Sequence, residues 1–131
     1  MNRWTAIDRV LSLEPEKGAR GLRNVPNPLS ILDSHFPRFP VLPGVLILGS
    51  LGELAALLLQ EQTGRPWRLA AAEQVRYRHF VQPGDQMELT VELKESSADS
   101  AVLSGTARVD GKVMTTARQL RLVPRDSGAA R

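Results

Sequence analysis

His35-Phe36-Pro37-Arg38-Phe39-Pro40-Val41-Leu42-Pro43-Gly44-Val45-Leu46-Ile47 is the stretch that decides the fold. A histidine is followed by three spaced prolines, and a Pro-Gly pair then opens a long apolar run. Each proline locks its φ near about −65° and pushes the preceding residue toward extended geometry, so the segment is a stiffened loop. Pro43 sits where a proline is best tolerated in a helix, in its first turn. The imidazole of His35 is thereby held close to a helix N-terminus, whose free N–H groups can receive a developing negative charge. That arrangement suits chemistry on a carbonyl.

Outward from this stretch, the apolar run predicts a helix from Pro43 to Gln62, stopped by Gly64 and Pro66. Val45, Leu46, Ile47, Leu48, Leu51, Leu54, Leu57, Leu58 and Leu59 leave almost no polar side, which predicts a helix buried all round. At about 1.5 Å per residue it spans roughly 30 Å, the width of a small domain. A sheet wrapped around it satisfies the pattern. Upstream, Ala6–Leu13 and Ala19–Val25 read as a hairpin about Glu14-Pro15-Glu16-Lys17-Gly18. Downstream, Met87, Leu89, Val91 and Leu93 alternate with Glu88, Thr90, Glu92 and Lys94, the period-2 mark of a half-buried strand. Ala101, Leu103, Gly105, Ala107 and Val109 repeat it, and Asp110-Gly111 is a strong two-residue hairpin signal. The order is β-β-α-β-β-β-β, an α+β pattern. One domain is expected over residues 1–123, with residues 124–131 a flexible tail.

Composition narrows the function. With 131 residues the chain holds one core and is small enough to favour oligomers. It has no cysteine, which removes disulfides, a thiolate nucleophile and cysteine-based metal sites. Its two histidines, His35 and His79, lack metal-ligand spacing, so neither a metal nor a cofactor is expected. The N-terminal residues carry no apolar signal region, and the run from 42 to 59 is broken by Gly49, Ser50, Gly52 and Glu53. No membrane association is expected, and a cytoplasmic location follows by elimination. The net charge of +3 comes with arginine pairs at 65/68, 76/78 and 118/121, which suit an acidic partner. Few aromatics and no nucleic-acid motif argue against nucleic acid.

The motif H-F-P-x-x-P-V-L-P-G-V-L-I resembles the signature of the FabZ/FabA-type β-hydroxyacyl-carrier-protein dehydratases. Ile7-Asp8-Arg9-Val10 and the Glu14–Gly18 turn resemble that family's first hairpin. Val75-Arg76-Tyr77-Arg78-His79-Phe80-Val81-Gln82-Pro83-Gly84-Asp85-Gln86 resembles its R-F-R-x-P-V-x-P-G-D strand and turn, and Val109–Val113 its last hairpin. The resemblance covers roughly residues 6 to 123. It implies the hotdog fold, an antiparallel sheet wrapped around one long central helix, in a dimer. It also implies elimination of water from a 3-hydroxyacyl thioester on an acyl-carrier protein, giving a trans-2-enoyl thioester in fatty-acid or polyketide-type assembly.

On that resemblance His35 matches the general base that takes the α-proton, a role suited to a pKa near neutrality. Gly44 matches the backbone amide that polarises the thioester carbonyl. Phe36, Pro43 and Gly49 fall among the substrate-binding positions, and Arg38, Arg76 and Arg78 are candidate carrier-protein contacts. The family's acid, a helix Glu or Asp supplied by the partner subunit, stands fourteen residues after the histidine, and there this chain has Gly49. Such a glycine costs about 1 kcal/mol in a helix interior relative to alanine, so close backbone approach or room for a ligand must offset it. Glu53, one turn further on the same face, is either a displaced acid, a hydrogen-bonded buried polar group or a subunit contact. One turn is about 5.4 Å, a large displacement for an acid. Arg38 replaces the family's usual glycine, and no P-H-R-Y-P-F run precedes the first strand, so one wall of the acyl tunnel is expected to be open or supplied by another chain. His79 reads as an exposed strand residue or, less simply, a second base. Gly49, Ser50 and Gly52 hint at space beside the helix.

Several functions follow. The chain is a subunit of a heterodimeric dehydratase whose partner supplies the acid. Alternatively it is a homodimeric dehydratase or isomerase that uses Glu53 or ordered water. It could instead be a non-catalytic hotdog partner that binds or scaffolds acyl-carrier protein, or a hotdog thioesterase.

Overall fold

Turn chemistry sets the first hairpin. Strand β1 (Arg9–Glu14) and strand β2 (Gly18–Asn24) pair antiparallel, with Glu16 in the left-handed region at φ 69° and Lys17 N donating to Glu14 O at 2.9 Å. The turn takes only residues 15–17, so Glu14 and Gly18 join the strands, and β1 starts at Arg9 rather than Ala6. The computed structural model describes residues 7–25 and 44–125. His35, Phe36, Arg38 and Pro43, together with the tail from residue 126, lie outside the described residues.

Helix α1 (Gly44–Thr63) follows, then β3 (Trp67–Tyr77), β4 (Gln86–Ser96), β5 (Ala101–Val109) and β6 (Lys112–Pro124). The six strands form one sheet in the order β1-β2-β4-β5-β6-β3, with every neighbouring pair antiparallel. Asp110 and Gly111 both have positive φ, 52° and 82°, as the two-residue turn closing β5 to β6 demands. Helix α1 touches all six strands, so the sheet curls around it in the hotdog arrangement. Leu51, Leu54, Leu58 and Leu59 of α1 are fully buried with Met87, Leu89, Leu103, Leu120 and Leu122 of the sheet.

The helix is not buried all round. Val45 is 69% exposed, and Gly49, Glu53, Ala56 and Leu57 are only half-buried, because the sheet covers one side and leaves a strip open. An all-apolar helix has too little polar surface to show where its open side lies.

Two of the three small helix residues are not spaces. Ser50 is fully buried, and its Oγ accepts a 2.5 Å hydrogen bond from Nη1 of Arg23, itself 2% exposed. Burial pushes the Arg23 guanidinium below its ordinary pKa, while the nearby Asp8 charge opposes the shift. At Gly52 a Cβ would lie 3.0 Å from Leu69 Cδ2 and 3.1 Å from its Cβ, so this glycine lets α1 and β3 approach closely. The Arg23–Ser50 bond has a measurable consequence. Ser50→Ala leaves a buried cation without this acceptor, and urea denaturation is expected to show a loss of about 1–3 kcal/mol.

Candidate functional site at the helix start and its open face

The start of α1 is shaped by the end of β3. A Cβ on Gly44 would lie 2.5 Å from Cε1, 2.7 Å from Cζ and 3.0 Å from Cδ1 of Tyr77. The hydroxyl-bearing edge of the phenol ring occupies the volume that a side chain at 44 would need, so any larger residue there would displace the ring. Partial desolvation raises the phenol pKa above its ordinary value, so the group stays protonated around neutral pH. The residue is nevertheless 53% exposed, because the ring stands at the open end of the helix. Opposite Tyr77 in the β3–β6 register is Thr115, which is fully buried. Thr115 Oγ1 has no hydrogen-bond partner among the described residues.

Further along α1, Gly49 and Glu53 line one groove of about 460 Å³ with Gly52, Ala56, Leu57 and Gln60. Its far wall is the beginning of β3, with Arg68 and Leu69, closed by Pro66, Trp67 and Arg125. The structure therefore brings Gly49 and Glu53 to one surface, as their spacing predicts. Gly49 and Gly52 both line this groove, whereas Ser50 is buried against Arg23. Glu53 is half-buried at the wall of a groove whose lining combines apolar Ala56, Leu57, Trp67 and Leu69 with Gln60, Arg68 and Arg125. β3 pairs with β6 along one side and has no strand on its other side among the described residues.

Arg76 and Arg78 flank Tyr77 and line a different cleft, of about 500 Å³, with Ser104, Thr106, Thr116 and Arg118. Ser104 and Thr106 alternate with buried Leu103, Gly105 and Ala107, so this cleft is on the sheet face turned away from α1. Arg118 and Arg121 do not act together. Arg121 Nε lies 3.5 Å from Glu73 Oε2, and its Nη2 donates to Gln119 Oε1 at 3.0 Å. The pair Arg65 and Arg68 is divided too, since Arg65 stacks 5.7 Å above the Trp67 ring while Arg68 faces the groove. His79 is exposed, as expected, but it lies in a bend beyond β3 rather than in a strand. The change follows from Arg78 N and His79 N both donating to Met114 O, at 2.7 and 3.3 Å, which ends the regular ladder.

The sequence model of the ApeI-like dehydratases, described as ApeI dehydratase, matches residues 13–118. The chain belongs to the ApeI-like dehydratase family. It is also similar to curated 3-hydroxyacyl-[acyl-carrier-protein] dehydratases FabZ. The Geobacillus thermodenitrificans protein is 37% identical over 111 residues, covering 82% of this chain and 77% of that protein. The Burkholderia cenocepacia protein is 39% identical over 117 residues, covering 85% and 76%. Among solved structures, the dehydratase heterocomplex ApeI:P from Xenorhabdus doucetiae aligns with a TM-score of 0.79 at 12% identity, covering 98% of this chain and 88% of that one. A Streptococcus mutans protein bound to acetyl CoA aligns with a TM-score of 0.74 at 12% identity, covering 97% and 94%. At these identities the two structures share the fold with the ApeI-like chain.

Two features of this ApeI-like protein escaped the sequence reading, although each left a signal. Ala19, Gly21 and Arg23 alternate along β2, which places Arg23 on the inward face. Tyr77 stands where the resembling R-F-R pattern has phenylalanine, and so adds a hydroxyl at that position.

Proposed function

We propose that this ApeI-like protein is one subunit of a dimeric dehydratase acting on a 3-hydroxyacyl thioester borne by an acyl-carrier protein. The groove at Gly49 carries the reading: it lies beside β3, whose outer edge has no partner strand among the described residues, and it has no side chain at the acid's position. An unpaired strand edge beside a partly uncovered apolar helix is a ready surface for a second hotdog subunit. In the composite site His35 takes the α-proton, and the Gly44 N–H donates to the thioester oxygen. The C–O bond breaks as the carbon–carbon double bond forms. A carboxylic acid on a related partner protonates the departing hydroxyl, which leaves as water. The carrier protein approaches Arg38, Arg76 and Arg78, and the reaction takes place in the cytoplasm without a cofactor. Glu53 lines the same groove as Gly49 and supports a second reading, a homodimer in which Glu53 acts as the acid.

The test follows conversion of 3-hydroxybutanoyl-carrier protein to the enoyl product. The chain is assayed alone and mixed with a FabZ-type dehydratase from the same organism whose own histidine has been replaced. Turnover only in the mixture is expected. Turnover by the chain alone that Glu53→Gln abolishes would establish the homodimer instead. Carrier binding without turnover in either case would make the protein a non-catalytic partner.

A further inference from the structure

The mechanism above leaves unused the phenol seated on the first residue of the helix. We infer that the Tyr77 hydroxyl is a catalytic hydrogen-bond donor: with the Gly44 N–H, it binds the thioester carbonyl oxygen as that oxygen gains charge. This rests on the dehydratase reading and deepens it. The Cδ1–Cε1–Cζ edge of the ring lies against Gly44, so the hydroxyl on Cζ stands at the same helix end as the amide. Tyr77 is 53% exposed, so an incoming ligand can reach it. Thr115, opposite Tyr77 in the β3–β6 register, carries a second, buried hydroxyl without a partner among the described residues. Buried polar groups ordinarily find partners, so the strand pair that holds Tyr77 also holds a group suited to a polar occupant.

The position also decides between two possible roles for the phenol. Gly49 is five residues along α1 from Gly44, about 7.5 Å at 1.5 Å per residue. The ring is anchored at the Gly44 end, at the carbonyl rather than at the departing hydroxyl. Tyr77 accordingly does not replace the missing acid. Two donors fixed beforehand at a developing enolate oxygen lower the barrier without reorganising during reaction, and one such donor is worth on the order of a hundredfold in turnover. No proton leaves the phenol in this step; the hydrogen bond shortens as charge accumulates on oxygen and relaxes when the enoyl thioester forms.

Tyr77→Phe removes the hydroxyl and keeps the ring against Gly44. In the active assembly it is expected to lower kcat by about a hundredfold while KM and the thermal midpoint stay near wild type. A direct readout uses saturated butanoyl-carrier protein labelled with ¹³C at the carbonyl, bound to the wild-type chain and to the variant in the same assembly. The infrared carbonyl stretch is expected at lower frequency on the wild type, moving back toward its free value in Tyr77→Phe. Unchanged kcat and unchanged carbonyl frequency in the variant would overturn the inference. Because the saturated thioester cannot dehydrate, this readout is independent of which chain supplies the acid. Failure of the wild-type assembly to bind or dehydrate the thioester is a different result: it removes the dehydratase reading and this role with it.

Discussion

Gly49→Glu is expected to give the purified chain dehydratase activity of its own, with turnover raised by about 10²- to 10⁴-fold over the unmodified chain. Position 49 lines the groove beside the start of β3, so an added side chain is directed to the surface where the acid is missing. Glu53, four residues on, shares that groove. Two carboxyl groups on one helix face disfavour joint ionisation, which helps keep one of them protonated to act as an acid. The control is Gly49→Gln, which has nearly the same shape and helix propensity but no acidic proton. Both substitutions remove an interior helix glycine, and each is expected to stabilise the fold by up to about 1 kcal/mol. Only Glu is expected to restore turnover. Equal activity in the two variants, followed by enoyl-product formation, would mean that glycine affects the site through helix stability and not through a missing acid.

How much of this was legible in the sequence depended on whether a feature was local. The Asp110-Gly111 turn, the alternation along β4 and β5 and the long helix are set by neighbours in the chain, and each appears where the sequence places it. Their sum, one helix against an antiparallel sheet, followed from the order of elements. The packing of the helix did not. Nine apolar residues imply burial but do not say by what, and one strip of α1 is left uncovered by the chain's own sheet. The three small residues 49, 50 and 52 look alike in the sequence. Arg23, twenty-seven positions before Ser50, fills one place, and Leu69, seventeen positions after Gly52, fills another. Gly49 and Gly52 both border the groove, so part of the space the small residues suggested is present. The crowding at Gly44 has the same long-range origin, since the ring that lies where a Cβ would project comes from Tyr77, thirty-three residues later.

His35→Ala is expected to abolish turnover in the mixed assembly, by about 10²- to 10⁴-fold, the usual worth of a positioned general base. Gly49 makes such a heterodimer asymmetric. A heterodimer of hotdog subunits has two composite sites, each joining one chain's histidine to the other chain's helix acid. The site that uses His35 faces the partner's acid and is complete. The reciprocal site, which uses the partner's histidine, faces Gly49 and lacks a proton donor. Replacing His35 therefore disables the complete site, whereas replacing the partner's histidine disables one that has no acid. Steady-state rates of the two single variants are expected to differ by the full worth of the base. Thermal midpoints that remain level would confine the difference to chemistry. Combining His35→Ala with Gly49→Glu should then move activity to the other site, rescuing turnover only while the partner's histidine is intact. Failure of that rescue, with Gly49→Glu active by itself, would show that the two chains do not share a site.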